Sequence, residues 1–570
     1  MPDQRISSAP IIVLKFGGSV LHNEDSLGLA VHEIYRWRRD GYKVVAVVSA
    51  FKGETEALID QCERVARDAS SHAQAAFVGL GEAKSASLLG LLLDRSGIPA
   101  RVLSPAAIGL LCTGDSLNSL PVDVNTGAID CGLDEDGVVV LPGFTGIDEQ
   151  GRGVTLGRGG SDSTAVFIAG KLGAQRCRLI KDVHGLYESD PNCAGSPAPA
   201  RYANANYEDA LNTDGSIIQH KSVQLARSLG VEIELGRFNS GSPSVIGDHP
   251  KSLRPEAERT RALKIAVCGL GTVGGGVVRA LQQLTDRFEI VGAGARSPQK
   301  HTDLIPIVGE ICSDPLALAE CDADVVLELI GGIEPARSLI ESALRRRKHV
   351  VTANKELIAE HGHELLALAD EHGVKLHFSA SVGGSLPVLE HLRANEAVAV
   401  SGVLNGTSQF VLRSIARGVP YEDAVNEAQR LGYAEADPSR DLDGRDALDK
   451  LRVIALQQGW HGYEIEFPAC DPESILPGSG LVCQFGQVNP LRASVRQEPV
   501  ECDADLASLG DSENLVTITR EHGDPIVLRG HGAGRWATTV SVVGDLLELS
   551  RTVASCRIDQ TTTLEEVACA

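Results

Sequence analysis

The sequence is short of several things, and each shortage removes a class of protein. No run of about 18 apolar residues stands out; the longest, around LLGLLL (Leu88 to Leu93), suits a core helix better than a membrane span. The opening MPDQRISSAP lacks the charged-then-apolar layout of a signal peptide. The thirteen cysteines are scattered, odd in number and never spaced CxxC, so neither a zinc framework nor a set of disulfides is expected. They read as small buried hydrophobes in a reducing compartment. Positive charge is also in deficit: 53 Lys and Arg against 76 Asp and Glu leave a net −23. That balance argues against nucleic acid and anionic membranes as partners. The expectation is a soluble, cytoplasmic protein acting on small molecules. Its 570 residues are too many for one ordinary core.

What is present divides in two. SGSPSVIGDHPKSLRPEAERTR (240–261) is rich in Ser, Pro and charge and poor in apolar periodicity, the marks of a joint. Strand-like runs alternate with helical patterns on both sides of it: PIIVLKF, VVAVVSA, VVVLPGF and CRLIKDV before, LKIAVC, DVVLELI and HVVTANK after. Such alternation implies α/β layers around mainly parallel sheets.

In the second half, Gly269-Leu-Gly271-Thr-Val-Gly274 follows a strand pattern and opens a helix pattern, the setting a GxGxxG dinucleotide turn requires. The first glycine permits the tight turn, the second lets a pyrophosphate approach the backbone, and the third permits close helix packing. The next strand ends near Arg296, with Lys300 nearby, where an NAD site usually carries an acid; this favours the 2′-phosphate of NADP. Lys355 sits at a strand end, facing the crevice of an open α/β sheet. GYAEADPSRDLDGRDALDK (432–450) then crowds six carboxylates before and into an amphipathic helix. Read alone, that stretch is a solvated, capped helix start.

In this order GLGTVGGGVV, ELIGG, VVTANK, SVGGSLP, LNGTSQF, GYAEADPSRDLDGRDALDKL and HGAGRWATTVSVVGDL resemble homoserine dehydrogenase over about 300 residues from Leu263. The resemblance implies a Rossmann dinucleotide-binding domain at 263–395. It implies an α+β catalytic and dimerisation domain at 396–570, the C-terminal part of which returns to the Rossmann domain. It also implies interconversion of aspartate semialdehyde and homoserine with NADP or NAD. Gly269, Gly271, Thr272, Val273, Gly274, Arg296, Thr352, Asn405, Gly406 and Thr407 would serve the cofactor. Glu435 and Asp441 would hold the substrate's ammonium and hydroxyl end, with Asp437 and Asp443 adding to an acidic pocket. Asp446, Lys450 and Lys355 would serve the reacting oxygen, with lysine pKa values lowered by burial near other cations. The family's monovalent cation, Na⁺ or K⁺, would meet Ser379, Val382, Gly384 and Leu386; relatives usually carry Glu where this chain has Ser379. A homo-oligomer, dimer or tetramer, is expected.

In the first half, VLKFGGSV places Lys15 at a strand end before two glycines. TLGRGGSDSTA repeats the theme ahead of a helix, and KDVHGLYESDP carries Asp182. A lysine with glycine N–H groups suits phosphate, although this is not a P-loop. With VVSAFKGETEALI, GLGEAKSASLL and LPGFTGID, the set resembles the amino-acid kinase family, aspartate kinase in particular, over 11–248. The resemblance implies an amino-acid-kinase fold over 1–249, with 250–262 as linker, and a use for ATP and Mg²⁺. Lys15, Gly17, Gly18 and Ser19 would flank the transferred phosphoryl group. Glu82, Arg158 and Ser161 would hold aspartate, Asp162 would orient the lysine, and Asp182 and Tyr187 would face the nucleotide.

Three departures leave an active kinase, a kinase for another acceptor and a silent kinase fold all standing. KFGGSV is one hydroxyl residue shorter than the usual KFGGTSV. Asn192 replaces the arginine of DPR. Ile217 stands where relatives commonly have a nucleotide-binding lysine, with Lys221 downstream as a substitute. About fifteen residues separate Gly247 from the dehydrogenase start, too few for the ACT regulatory modules usual in bifunctional relatives, so no ACT-mediated feedback is expected.

Overall fold

The structure, a computed structural model, describes residues 9–188, 199–254, 261–434, 437–468, 470–475, 482–500, 504–532 and 534–568. They group into two compact units, one drawn from residues 9–94 and 99–254, the other from residues 95–98 and from residue 261 onward.

The first unit is built on a nine-stranded sheet. At its centre lie β1 (Ile11–Phe16), β2 (Lys43–Val48), β3 (Val138–Pro142) and β4 (Arg176–Ile180), all parallel, in the order β4-β1-β2-β3. Their near-continuous Val, Ile and Leu follow from being covered on both faces. Helix α1 (Gly160–Leu172) is buried from Gly160 to Ala169. Small residues at its start let it sit deep: a Cβ on Gly160 would stand 2.8 Å from Leu156 Cβ.

One expectation needs correction here. The stretch Ser71–Arg95 is helical and holds an 18-residue window of mean hydropathy 1.4, apolar enough by length and composition to cross a membrane. Gly, Ser and no more than two charged residues interrupt the apolar run, yet its leucines and alanines keep the mean high. In the unit this helix buries Gly81, Glu82, Ser85, Ala86, Leu89 and Leu93.

The second unit begins with β5 (Leu263–Cys268), α2 (Thr272–Leu281), β6 (Phe288–Gly294), β7 (Val325–Glu328), β8 (His349–Thr352), α3 (Lys355–His372) and β9 (Leu376–His377). With the short strand Ile311–Cys312 these form a six-stranded parallel sheet, Ile311–Cys312 beside β6, then β5, β7, β8 and β9. That is the doubly wound order, with its ligand crevice at the strands' carboxyl ends. A second six-stranded sheet includes β10 (Ala397–Val403) and is mainly antiparallel. Against it pack α4 (Gly406–Ala416) and α5 (Arg445–Gln457). Ala266, Val350, Leu451 and Val516 belong to one contiguous apolar core, so the core runs straight through residue 395. The last helix, α6 (Arg535–Ala568), lies against α2, where a Cβ on Gly276 would stand 2.5 Å from Thr539 Oγ1.

Candidate active sites

The glycine turn of the second unit has the shape its spacing implies. Gly269 has φ +104°, and a Cβ there would fall 2.4 Å from the Leu329 carbonyl oxygen. A Cβ on Gly274 would fall 1.8 Å from the Gly269 carbonyl oxygen, whereas one on Gly271 would meet nothing within 4 Å. The turn is closed from behind and open in front of Gly271, at the N-terminus of α2, which carries Thr272 and Val273. That is the cradle a dinucleotide pyrophosphate fits. Arg296 follows β6 and is exposed, as is Lys300.

Cys268, Glu328 and Thr352 are neighbours across β5, β7 and β8, so the loops leaving these strands share one edge. Buried Glu328 ties them together. It accepts the N–H groups of Ile330 (2.8 Å) and Gly331 (3.1 Å) and the hydroxyl of Thr352 (2.6 Å). The Thr352 hydroxyl is thus committed to Glu328. Asn354 donates to the Gly332 carbonyl and caps α3, whose first residue is Lys355.

Lys355 and the charged segment meet at this edge. Buried Asp446, in the first turn of α5, accepts Lys355 Nζ at 3.0 Å on one oxygen and Lys450 Nζ at 2.7 Å on the other. Lys450 also donates to the Leu404 carbonyl at 2.7 Å. Asn405 Nδ2 lies 2.7 Å from Asp441 Oδ1 and 2.7 Å from Asp446 Oδ2, while its Oδ1 caps α4 at Ser408 N–H. Burial works against an ionised Asp446, but Lys450 and Lys355 outweigh it and hold its pKa well below the carboxylate range. Asp441 is pushed up, by burial first and by Asp446 second.

Several expectations are corrected by this geometry. Asp446 raises the pKa of Lys355 more than burial lowers it, the reverse of the expected shift. Asp437 and Asp443 do not face inward: the first caps Ser439 N–H from the surface, and the second pairs with Arg445 at 2.6 Å. Glu435 lies outside the described residues. Asn405, expected beside the cofactor, is spent on the two carboxylates. Thr407 donates to the Tyr433 carbonyl, and a Cβ on Gly406 would crowd the Ser512 carbonyl at 2.5 Å.

Ser379, Val382, Gly384 and Leu386 lie on one buried loop between β9 and the helix Val388–Ala394. The Ser379 and Leu386 carbonyls each accept one backbone N–H, from Val382 and Val388, which leaves each a second lone pair. His377, Asp545 and Glu548 gather within 4.8 Å of one another beside this loop, but Arg393 already lies 3.5 Å from Glu548 and donates to Ser379 Oγ at 3.1 Å.

In the first unit, Lys15 at the end of β1 is buried and pairs with Asp162 Oδ1 at 2.6 Å. Lys181, which directly follows β4, takes Asp162 Oδ2 at 2.9 Å. Lys181 was not singled out in the sequence; its signal was adjacency to Asp182 at a strand end. Burial pushes the Lys15 pKa down against the pull of Asp162. The two ammonium groups overcome burial at Asp162 and hold it at about 2. A Cβ on Gly17 would stand 2.7 Å from Lys15 Nζ and 3.9 Å from Ser19 Oγ, so KFGGSV wraps the lysine tip; Gly18 lies against the Ala50 carbonyl. Glu82, buried, accepts the Ala50 N–H at 3.2 Å, and burial raises its pKa to about 7. Ser161 is buried against Gly143, where a Cβ would fall 2.7 Å from its own Cβ. Arg158 and Asp182 are exposed, while Tyr187 is buried. Lys221 donates to the Leu156 carbonyl beside the Gly157–Gly160 turn, and Ile217 packs on the unit's apolar core. Asn192 lies outside the described residues.

Comparison with known proteins agrees with both halves. Residues 10–234 match the model of the amino acid kinase family, 269–379 that of the homoserine dehydrogenase NAD binding domain, and 386–547 that of homoserine dehydrogenase. Homoserine dehydrogenase of Synechocystis is 34% identical over 324 residues, covering 51% of this chain and 74% of that protein. The Bacillus subtilis homoserine dehydrogenase is 32% identical over 326 residues, covering 51% and 73%. A solved homoserine dehydrogenase from Thiobacillus denitrificans is 30% identical with a TM-score of 0.47, covering 52% of this chain and 74% of that one. By the family models it matches and its sequence identity to these relatives, the chain belongs to the homoserine dehydrogenase family, with an amino acid kinase domain ahead of the dehydrogenase half.

Proposed function

We propose that the chain is a bifunctional enzyme of aspartate-family amino-acid biosynthesis. Its second half would reduce L-aspartate 4-semialdehyde to L-homoserine, and its first half would phosphorylate L-aspartate on its side-chain carboxylate. The observation that supports the first activity best is the Lys355–Asp446–Lys450 cluster, which shares a sheet edge with the glycine turn.

The dinucleotide, when bound, supplies the hydride. The protein's part is to hold the substrate and manage charge. Asp441 offers a carboxylate to the substrate ammonium. Lys450 and Lys355 would face the aldehyde oxygen as it gains negative charge, where an ammonium both stabilises the oxygen and delivers the proton that completes the alcohol. Asp446 fixes both lysines, and Asn405 keeps Asp441 and Asp446 apart. Exposed Arg296 and Lys300 after β6 favour NADP over NAD. The carbonyls of Ser379, Val382, Gly384 and Leu386 are a neutral donor set suited to Na⁺ or K⁺.

For the first half, Lys15, the glycine N–H groups and Mg²⁺-bound ATP suit transfer of a phosphoryl group to an acceptor that is already ionised, so no strong base is required. Ile217, an apolar residue packed against the core where relatives commonly carry a lysine, favours a second reading, a dehydrogenase with a silent kinase-like half. Two assays decide. Homoserine oxidation is followed by NADPH absorbance, and ADP release is followed with aspartate, with glutamate and without acceptor. Aspartate-dependent ADP release supports the bifunctional reading. Its absence alongside homoserine oxidation selects the second reading, and release with glutamate alone changes the acceptor.

A further inference from the structure

The kinase-like site of the first unit holds one more cation than a carboxylate can balance. Asp162 is 4% exposed and carries Lys15 on one oxygen and Lys181 on the other. Both lysine side chains are largely buried, at 7% and 11% exposure. One carboxylate against two ammonium groups leaves a surplus positive charge with little water to solvate it. Such a charge is costly unless an anion completes the site. The surroundings deepen the surplus: Lys221 reaches the Leu156 carbonyl next door, and the turn at Gly157 and Gly159, both at positive φ, opens the N-terminus of α1. Glu82, the other carboxylate that acts on Lys15, has its pKa raised to about 7 by burial.

We propose that Lys181 is the second catalytic cation of the phosphoryl-transfer site, paired with Lys15 across Asp162, and that it supplies the charge that Ile217 does not. Ile217 is half-buried and packs against the apolar core, and it brings no charge to the site. Lys221 has its ammonium committed to a backbone carbonyl on the flank of the turn, which suits positioning the loop. Lys181 leaves the carboxyl end of β4, next to β1, so it and Lys15 approach from adjacent strands. In the reaction an oxygen of the acceptor carboxylate forms a bond to the γ-phosphorus of ATP. The bond from that phosphorus to the β–γ bridging oxygen breaks, and its electron pair stays with ADP. No proton is exchanged. Two anions must meet, and the two lysines neutralise the phosphoryl oxygens as they do so.

This inference rests on the kinase reading, and the experiment separates the two. In the full chain, Lys181→Met, Lys181→Arg and Lys221→Met are compared for aspartate-dependent ADP release and for binding of Mg-ATP and Mg-ADP by calorimetry. Homoserine oxidation and thermal melting serve as folding controls. Lys181→Met is expected to lower kcat by about 100-fold or more with little change in the KM for aspartate, and to weaken ATP binding more than ADP binding. Lys181→Arg should restore part of the loss, and Lys221→Met should cost less than about tenfold. A folded Lys181→Met with normal kcat, or a larger loss in Lys221→Met than in Lys181→Met, overturns the assignment while the kinase reading survives. If the wild type turns over no aspartate yet binds Mg-ATP, the binding arm still decides: equal ATP and ADP affinities, unmoved by Lys181→Met, sink the proposal. A wild type that does not bind Mg-ATP at all removes the kinase reading and this inference with it.

Discussion

At the residue scale the dehydrogenase site turns on Asn405, one amide held at 2.7 Å from both Asp441 and Asp446. Remove it and two carboxylates face each other with only the lysines between them. Asn405→Ala is expected to lower kcat for homoserine oxidation by about tenfold or more while leaving the KM for NADP nearly unchanged. A raised KM for NADP with unchanged kcat would return Asn405 to the cofactor. A second single residue sets a pH dependence. His32 is buried in the helix Leu27–Arg39 with its Nδ1 unpartnered, and burial lowers its pKa from 6.5 to about 4. Its folded pKa lies below its unfolded one, so its contribution is complete above pH 6.5 and fades as pH falls toward 4. Integrated over that window it amounts to roughly 3 kcal/mol. Melting of the first unit between pH 4.5 and 7 should therefore steepen with acid in the wild type and flatten in His32→Met.

The turn between β5 and α2 makes a prediction at the element scale, because its glycines are required for different reasons. Gly274 is a packing glycine: a methyl there would overlap the Gly269 carbonyl. Gly271 is an approach glycine, with open space in front. Gly274→Ala is expected to distort the element and lower both melting temperature and activity. Gly271→Ala should fold like the wild type and raise the KM for NADP by about tenfold or more, since a methyl would occupy the path of the pyrophosphate. Equal melting loss in both variants would contradict this division. The same scale explains why α5 carries its chemistry well. Asp446 and Lys450 are four residues apart on one face, and Gly444, at φ +91°, turns the chain immediately before the helix.

For the whole molecule, each unit contains its own charged cluster: Lys15–Asp162–Lys181 within the first, Lys355–Asp446–Lys450 within the second. Lys450→Met is expected to reduce homoserine oxidation by about 100-fold or more and leave ADP release intact, and Lys15→Met to do the reverse. Loss of both activities from either substitution, in a protein that still melts cooperatively, would mean that the two sites depend on each other.

Two α/β halves, the strand–glycine–helix of β5 and α2, and the pairing of Asp446 with Lys450 were all legible in the residues. Each depends on neighbours a few positions apart, where backbone geometry alone decides which side chains meet. The chain order of the motifs carried the family as well. What the sequence could not reveal were meetings across long stretches of chain. Asn405 reaches Asp441 and Asp446, and Lys355 crosses 91 positions to Asp446. Lys181 shares Asp162 with Lys15. Local spacing cannot encode these contacts, because they arise only when the parallel strands bring their carboxyl ends to one edge and burial selects which charges must pair there.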